Sequence, residues 1–262
     1  MYFVSDVHGA FARLQRLAAT GEPIAILGDL ANLTDYRTGE GAVADVLGIE
    51  FSREAARARA KGDYATMRSL WEDHVGGSAQ EVRSEIGDAI SKQYESVGDA
   101  LEGGRGYVIH GNVDRPRQLE ACLPDGFRYV HGVSIETESL RFGFVGGGIE
   151  TPLGAEGEVT DDEMERLLSE LGPVDVLCTH VPPDVAALRG DVVTGRQERG
   201  SVPIRDYVLS QKPRFHFFGD VHQPQATTWR LGTTKCFNAG YFRATGRFLH
   251  LRDAMVQVGR IS

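Results

Sequence analysis

Cysteine is scarce in this chain: three in 262 residues. Cys122, Cys178 and Cys236 are far apart, odd in number and show no C-x-x-C spacing. That excludes a local zinc knuckle, argues against a disulfide scaffold and predicts a reduced, cytoplasmic setting. Long apolar runs are missing as well. No stretch approaches the ~20 residues of a membrane helix, so no membrane association is expected. The chain opens on a strand-like run, Tyr2-Phe3-Val4, with no basic segment leading into a long apolar one, and no signal peptide is read. Basic charge is in deficit, with 28 Lys and Arg against 37 Asp and Glu and a net charge of -9. A standing nucleic-acid surface is normally basic, so nucleic acid is not an expected partner. A phosphate-bearing substrate stays open, because bound divalent ions reverse the local field. Repeats and low-complexity tracts are absent too.

What remains is an ordinary globular composition, 41% hydrophobic and 25% charged. Short apolar runs recur and end in polar or glycine residues. Tyr2-Phe3-Val4-Ser5 meets Asp6, Ile24 to Leu27 meets Gly28-Asp29, and Tyr107-Val108-Ile109 leads to Gly111-Asn112. Val174 to Cys178 leads to His180, and Phe215 to Phe218 leads to Gly219-Asp220. Such runs read as buried strands bounded by turns. Helical spacing appears at Phe11, Leu14, Leu17 and Ala18. It recurs at Met164, Leu167, Leu168 and Leu171, with Thr160 and Asp161 as caps. Further strands are expected over Arg141 to Val145 and near Thr227 to Arg230, Lys235 to Phe237 and Phe248 to Leu251. The chain is α/β in class, with parallel units first and a strand-rich end.

Residues 38–104 differ in texture. They are rich in Ala, Arg, Glu and Asp, with helical spacing at Tyr64, Met67, Leu70 and Trp71 and again at Val82, Ile86, Ala89 and Ile90. We read one domain over 1–262 carrying a helical insertion over 38–104. The insertion is a hairpin on the core edge, a cap over a site, or an element through which copies of the chain oligomerise.

Five fragments carry the chemistry: Asp6-Val7-His8, Gly28-Asp29, Gly111-Asn112-Val113-Asp114, Thr179-His180 and Gly219-Asp220-Val221-His222. Asp6 and His8 alternate along an extended segment and can face the same way. Singly, each candidate is an ordinary turn, cap or core residue. Together they all sit beyond strand ends, where α/β sheets gather ligands. Weaker candidates are Arg115 as a phosphate contact, Asn238-Ala239-Gly240 as a closing turn, His74 in the insertion, and Asp35 and Tyr36 as pocket lining. His110 and His216 lie inside apolar runs and read as core. Gly146-Gly147-Gly148 lacks the spacing of a dinucleotide loop.

In this order the fragments resemble the calcineurin-like metallophosphoesterase superfamily, whose pattern is D-x-H, G-D, G-N-H-(D/E), H and G-H-x-H. The resemblance spans Asp6 to His222. It implies a four-layer αββα sandwich, two mixed sheets flanked by helices, with a binuclear site. Carried over by residue, it implies one metal on Asp6, His8, Asp29 and His222. A second sits on Asp29, Asn112, His180 and Asp220, with Asp29 bridging. Asn112 and Asp114 then count among the catalytic positions. The implied cofactors are two divalent ions, manganese first, with iron, nickel, zinc or magnesium as alternatives. The implied reaction is hydrolysis of a phosphoester by a metal-bridging hydroxide.

Three positions depart from the pattern. Val113 stands where the superfamily often has a His that serves the leaving group, a role typically worth ~10²–10⁴-fold. Asp220 replaces the first His of G-H-x-H, which favours hard ions such as Mn or Mg. Leu33 stands where the protein phosphatases of the superfamily carry an Arg. The expected substrate is therefore a small phosphodiester or nucleotide-like phosphoester rather than a phosphoprotein. A second reading treats Val113 and Asp220 as marks of a protein-binding module that keeps the fold with an impaired second metal site. A third, a nuclease, lacks a basic stripe.

Overall fold

Short apolar segments rich in β-branched and aromatic residues become strands here, most of them followed by glycine or a polar turn residue. The computed structural model describes residues 1–35, 38–137, 139–152, 154–192, 195 and 197–262. The chain runs through β1 (Tyr2–Val4), α1 (Phe11–Ala18) and β2 (Ile24–Leu27). A helical stretch follows: α2 (Ala42–Leu47), α3 (Ile49–Ala60), α4 (Tyr64–Val75) and α5 (Ala79–Leu101). Next come β3 (Gly106–Ile109), α6 (Pro116–Cys122), β4 (Phe127–Tyr129), β5 (Val133–Glu136), β6 (Arg141–Val145), β7 (Gly148–Ile149) and β8 (Glu158–Val159). Then α7 (Asp161–Leu171), β9 (Val176–Thr179), α8 (Ala186–Arg189), α9 (Val202–Gln211) and β10 (Phe215–Phe218). The end is β11 (Thr228–Leu231), β12 (Thr234–Asn238), α10 (Phe242–Thr245), β13 (Arg247–Arg252) and β14 (Met255–Arg260).

Two compact units emerge, one of Met1–Leu30 with Val97–Ser262, the other of Ala31–Ser96. The first holds two six-stranded mixed sheets, in the orders β14-β13-β1-β2-β3-β4 and β11-β12-β10-β9-β6-β5. β1 to β4 pair in parallel, as do β6, β9, β10 and β12. Antiparallel strands close both ends of the second sheet and one end of the first. The facing sheets share a core of Phe3, Ala25, Leu27 and Ile109 with Phe142, Phe144, Val176, Phe215 and Phe217. Phe3 stacks on Phe217 at 3.8 Å and 10°. Burying one such ring is worth about 1.5–3 kcal/mol. Helices flank the sheets, the four-layer arrangement implied by the family resemblance.

Helix α7 shows how local sequence places a layer. Met164, Leu167, Leu168 and Leu171 form its buried stripe, packed with Leu177 of β9 and Ile204 and Val208 of α9. Thr160 caps it by accepting from Glu163 N at 3.2 Å. Asp161, Asp162 and Glu163 sit in its positive first turn.

Some elements were not expected. α9 is capped by Ser201, whose Oγ accepts from Ile204 N at 3.3 Å, but its faces are too mixed to show a stripe. β14 pairs with β13 along six residues, yet its alternation is blurred by Gly259 and by exposed Met255 and Val258. α9 packs on α7, about forty positions earlier in the chain, whereas β14 returns on its immediate neighbour β13 as an edge strand.

The second unit is helical. Phe51 packs edge-on against Trp71 at 5.1 Å and meets His74 at 4.7 Å. Asp63 caps α4 through Thr66 N at 3.0 Å. Gln93 returns to the start of the unit, accepting from Asn32 N at 2.6 Å and donating to its carbonyl at 2.9 Å. This unit runs from Ala31 to Ser96. From Val97 the chain belongs to the first unit, where Gly98 lies against the Cys122 carbonyl, leaving no room for a Cβ.

Candidate metal centre

All seven candidate ligands lie just past strand ends. Asp6 and His8 follow β1, Asp29 follows β2, and Asn112 follows β3. His180 follows β9, and Asp220 and His222 follow β10. β1, β2 and β3 are parallel neighbours in one sheet, and β9 and β10 in the other. Backbone bonds tie these ends together. Asp6 N donates to Gly28 O at 3.1 Å, His8 N to Asp29 O at 2.9 Å, and Gly219 N to His180 O at 2.8 Å.

The turns are strained. Asp6, His8, Asp29 and Asp220 have φ of 57°, 38°, 57° and 64°. Left-handed backbone at a non-glycine residue costs roughly 1–3 kcal/mol and clusters at functional sites. Two glycines permit the close approach of the loops. A Cβ on Gly111 would lie 2.0 Å from Asp29 Oδ1, and one on Gly219 would lie 1.8 Å from Ser5 Oγ and 2.7 Å from Asp6 Oδ2.

The side chains converge. His8 Nε2 is 3.3 Å from His222 Nε2, 3.6 Å from Asp29 Oδ2 and 3.9 Å from Asp6 Oδ1. His222 Nε2 is 3.4 Å from Asp6 Oδ1. On the other side, His180 Nε2 is 3.3 Å from Asn112 Oδ1, 3.5 Å from Asp29 Oδ1 and 3.7 Å from Asp220 Oδ1. Ligand atoms ~2.0–2.2 Å from one ion lie roughly 3–3.6 Å apart, so these separations suit shared cations. Two three-residue groups meet the spacing for an ion: Asp6, His8 and His222, and Asp6, Asp29 and His180. The family-derived partition put Asp6 with the first ion alone. In the geometry Asp6 stands within reach of both groups.

Protons can be placed by elimination. His180 Nδ1 donates to the Leu27 carbonyl at 2.7 Å, which only accepts. In the neutral ring Nε2 is therefore a bare lone pair aimed at carboxylate and amide oxygens, a collision of acceptors that a cation resolves. Asp6 Oδ1, fully buried, has no aligned hydrogen-bond donor either. The Asn112 amide, turned over, would donate to Asp29 Oδ2 at 2.9 Å. A cation on its oxygen selects the other orientation. The donor set thus fits divalent ions by position and chemistry.

The field agrees. Burial works to lower the His180 pKa, but Asp29, Asp220 and Asp6 raise it well above the usual imidazole value. His222 is raised likewise, against burial, by Asp6 and Asp29. Burial pushes Asp29 up, but His180, His8 and the Val113 N–H outweigh it and hold the carboxyl below its ordinary range. Asp220 is pushed upward by burial and by Asp6 and Asp29, against His180. A quarter of its side chain still reaches solvent, as does about that share of His222, so the site opens on this side.

Asp114 works through the backbone. Its Oδ2 accepts from Asp29 N at 2.7 Å and Gly111 N at 2.9 Å, and its Oδ1 from Leu30 N at 3.0 Å. It holds two ligand-bearing turns together. Val113, read as a missing proton donor, contributes its N–H to Asp29 Oδ1 at 3.1 Å. Arg115 precedes α6 at its cap position, its carbonyl accepting from Leu119 N at 2.9 Å, and is half-buried.

The weaker candidates resolve locally. His110 is buried and bonds Tyr129 at 2.7 Å, and His216 is buried against Thr179 at 2.8 Å. His74 packs on Phe51. Asp35 accepts from Thr38 N at 3.1 Å within its own loop. Tyr36 lies outside the described residues.

One neighbour of the site was not anticipated. Tyr241 stacks on His222 at 4.0 Å and 1°. It lies 19 positions past His222 in an ordinary turn context, and no local pattern marks it. Asn238, read as closing the site or as only a turn, donates to the carbonyls on either side of Asp220.

The calcineurin-like phosphoesterase family model matches residues 1–224. Among solved structures, the chain resembles the crystal structure of TT1561 of Thermus thermophilus, with a TM-score of 0.54 and 13% identity over 100% of this chain and 99% of that one. It also matches the Thermus thermophilus sulfate thiohydrolase SoxB in complex with glycerol, 13% identical over 98% of this chain and 43% of that one, at a TM-score of 0.38. At these identities the first likeness concerns the fold alone, and the second is too weak to argue from. No curated protein matches the chain. The family match spans all five fragments and ends just past His222, so this chain belongs to the calcineurin-like phosphoesterase family, a group of metal-dependent phosphoester hydrolases.

Proposed function

We propose that the protein is a binuclear metallophosphoesterase acting on a small phosphodiester or nucleotide-like phosphoester. The observation that carries this is the placement of Asp29. Its Oδ2 faces His8 and its Oδ1 faces His180, so one carboxylate stands between two imidazole groups. Asp6, His8, Asp29 and His222 would hold one ion, and Asp29, Asn112, His180 and Asp220 the other. A pair of divalent ions lowers the pKa of a water and neutralises phosphoryl oxygens. The chain's own residues do the rest. Asp114 fixes the Asp29 turn, and Leu27 O fixes the tautomer of His180. Asp220 and His222 leave an open side for substrate, and Arg115 is the candidate phosphate contact. Three carboxylates favour manganese over softer ions.

Val113 has no proton to give a leaving group. Substrates whose leaving groups need little protonation are therefore preferred. Leu33, where phosphoprotein phosphatases of the family have Arg, weighs against phosphoproteins. Three free cysteines fit a reducing compartment such as the cytoplasm. The test is direct. Purified protein is assayed on activated mono- and diesters with Mn, Fe, Ni, Zn or Mg. Hydrolysis with one of these, and faster on diesters, is expected. Inertness on every combination sinks the proposal and favours the binding-module reading suggested by Val113 and Asp220.

A further inference from the structure

The segment after β12 touches both loops of the first proposed ion, although it lies beyond the span of the family match. Asn238 is fully buried, and its Nδ2 donates to Gly219 O at 3.3 Å and Val221 O at 3.0 Å, the carbonyls flanking Asp220. Its Oδ1 accepts from Gly240 N at 2.7 Å, which fixes the amide orientation. Phe242 N donates to Ser5 O at 3.2 Å and Arg243 N to Asp6 O at 3.1 Å. The Arg243 guanidinium donates to His8 O, and Arg13 in turn donates to Arg243 O at 2.6 Å. Between these contacts Tyr241, buried, lies parallel on the His222 ring and edge-on to His8 at 5.8 Å.

His222 needs such a neighbour. A metal-binding imidazole is usually oriented by a hydrogen bond at its second nitrogen. His180 has one, to Leu27 O. Among the described residues, none reaches His222 Nδ1. Its ring is set by stacking instead. A parallel stack resists tilting of the imidazole plane and leaves the ring edge, with Nε2, free to face the site.

We propose that Asn238 to Arg243 form a clasp for the first ion's loops, in which Tyr241 is the positioning residue for His222. The proposal rests on the metal-binding reading above. It makes the segment beyond the motif fragments part of the site's construction.

The probe is Mn²⁺ alone, titrated calorimetrically into metal-stripped full-length protein, with the visible spectrum of the Co²⁺-loaded protein as a second readout. Tyr241→Leu is expected to weaken Mn²⁺ binding about tenfold and to shift the Co²⁺ bands, the scale usual for groups that orient a ligand. Tyr241→Phe keeps the stack and is expected to stay within about twofold of wild type. Leu168→Ala, a core change in α7, controls for general destabilisation and leaves both readouts unchanged. Asn238→Ser tests the clasp from its other end and is expected to weaken binding even if Tyr241→Leu does not fold. Wild-type affinity and spectrum in folded Tyr241→Leu, or in Asn238→Ser should Tyr241→Leu not fold, overturns the clasp while leaving the metal site standing. Equal weakening by Leu168→Ala overturns it too. A wild type that binds no Mn²⁺ overturns the metal reading and the clasp together.

Discussion

The backbone N–H of Asp29 donates to the carboxylate of Asp114 at 2.7 Å, across 85 positions of sequence. The same carboxylate takes the N–H of Leu30 and of Gly111. One buried side chain thus welds the turn after β2 to the turn after β3. Asp29 stands in a left-handed conformation that it would not choose alone, and Asp114 is part of what holds it there.

Asp114→Ala leaves three buried donors without their acceptor. Each costs about 1–3 kcal/mol, so a loss of ~3–9 kcal/mol is expected. Asp114→Asn keeps one acceptor oxygen but turns an amide towards N–H groups, and should fall between. Urea unfolding with and without Mn²⁺ measures both. A loss under ~1 kcal/mol in the alanine variant means that the carboxylate is not the clamp described.

Gly111→Ala puts a methyl 2.0 Å from Asp29 Oδ1. The carboxylate is itself held, so the turn must shift. Overpacking costs about 1–3 kcal/mol. More telling is binding, since a displaced Asp29 should weaken Mn²⁺ affinity at least tenfold. Gly87→Ala in α5 meets nothing within 4 Å and is the control. It should be neutral for binding and gain about 0.5–1 kcal/mol of stability. Calorimetric titration of both variants decides, and equal affinities would refute the close-approach argument.

These two cases show what can be read in a linear sequence. Asp6, His8, Asp29, Asn112, His180, Asp220 and His222 could be picked out because strand-end runs repeat and because their residue types suit cations. The glycines before Asp29, Asn112 and Asp220 were visible, but not their reason, which is a loop from another strand. Asp114 could be counted among the catalytic positions without showing which backbone groups it holds. Tyr241 could not be seen at all. It meets His222 through the fold, because β12 and β10 are parallel neighbours, and nothing local records that. α9 was missed for the same reason, since its burial is set by α7 rather than by its own periodicity. β14 was missed because it is an exposed edge strand that shows no apolar alternation, although its partner β13 is next to it in the chain.

His216 makes the fold sensitive to acid. Thr179 Oγ1 donates to Val181 O at 2.8 Å, so it must accept from His216 Nε2, also at 2.8 Å. Nδ1 is buried with no partner. Adding a proton there buries an unpaired charge, and burial pushes the pKa down to about 3. The unfolded value is about 6.5. Between the two the unfolded chain binds more protons, so stability is full above about pH 6.5 and declines as pH falls towards about 3. His216→Gln removes this share. Its unfolding free energy should fall less steeply between about pH 6 and 4, by up to about 1.4 kcal/mol per pH unit. Parallel slopes in urea titrations spanning roughly pH 7 to 4 would count against a neutral His216.

Asp220 decides what the second position prefers. Its Oδ1 stands 3.7 Å from His180 Nε2, and its N–H donates to Asp6 Oδ2 at 3.2 Å. The short carboxylate therefore points into the proposed second ion while its backbone braces the first loop. Asp220→His exchanges a hard oxygen for an imidazole and removes one negative charge. His8 already occupies a left-handed turn beside it, so the backbone at φ 64° does not forbid the change. Zinc suits nitrogen donors better than manganese does. At saturating metal, wild type and variant should each hold about two ions per chain. In mixed Mn²⁺ and Zn²⁺ buffers the variant should favour zinc about tenfold more than wild type does. Metal analysis after dialysis reads both quantities. Two ions only in the variant would mean that Asp220 disables the second position, and an unchanged preference would mean that its carboxylate does not touch the ion.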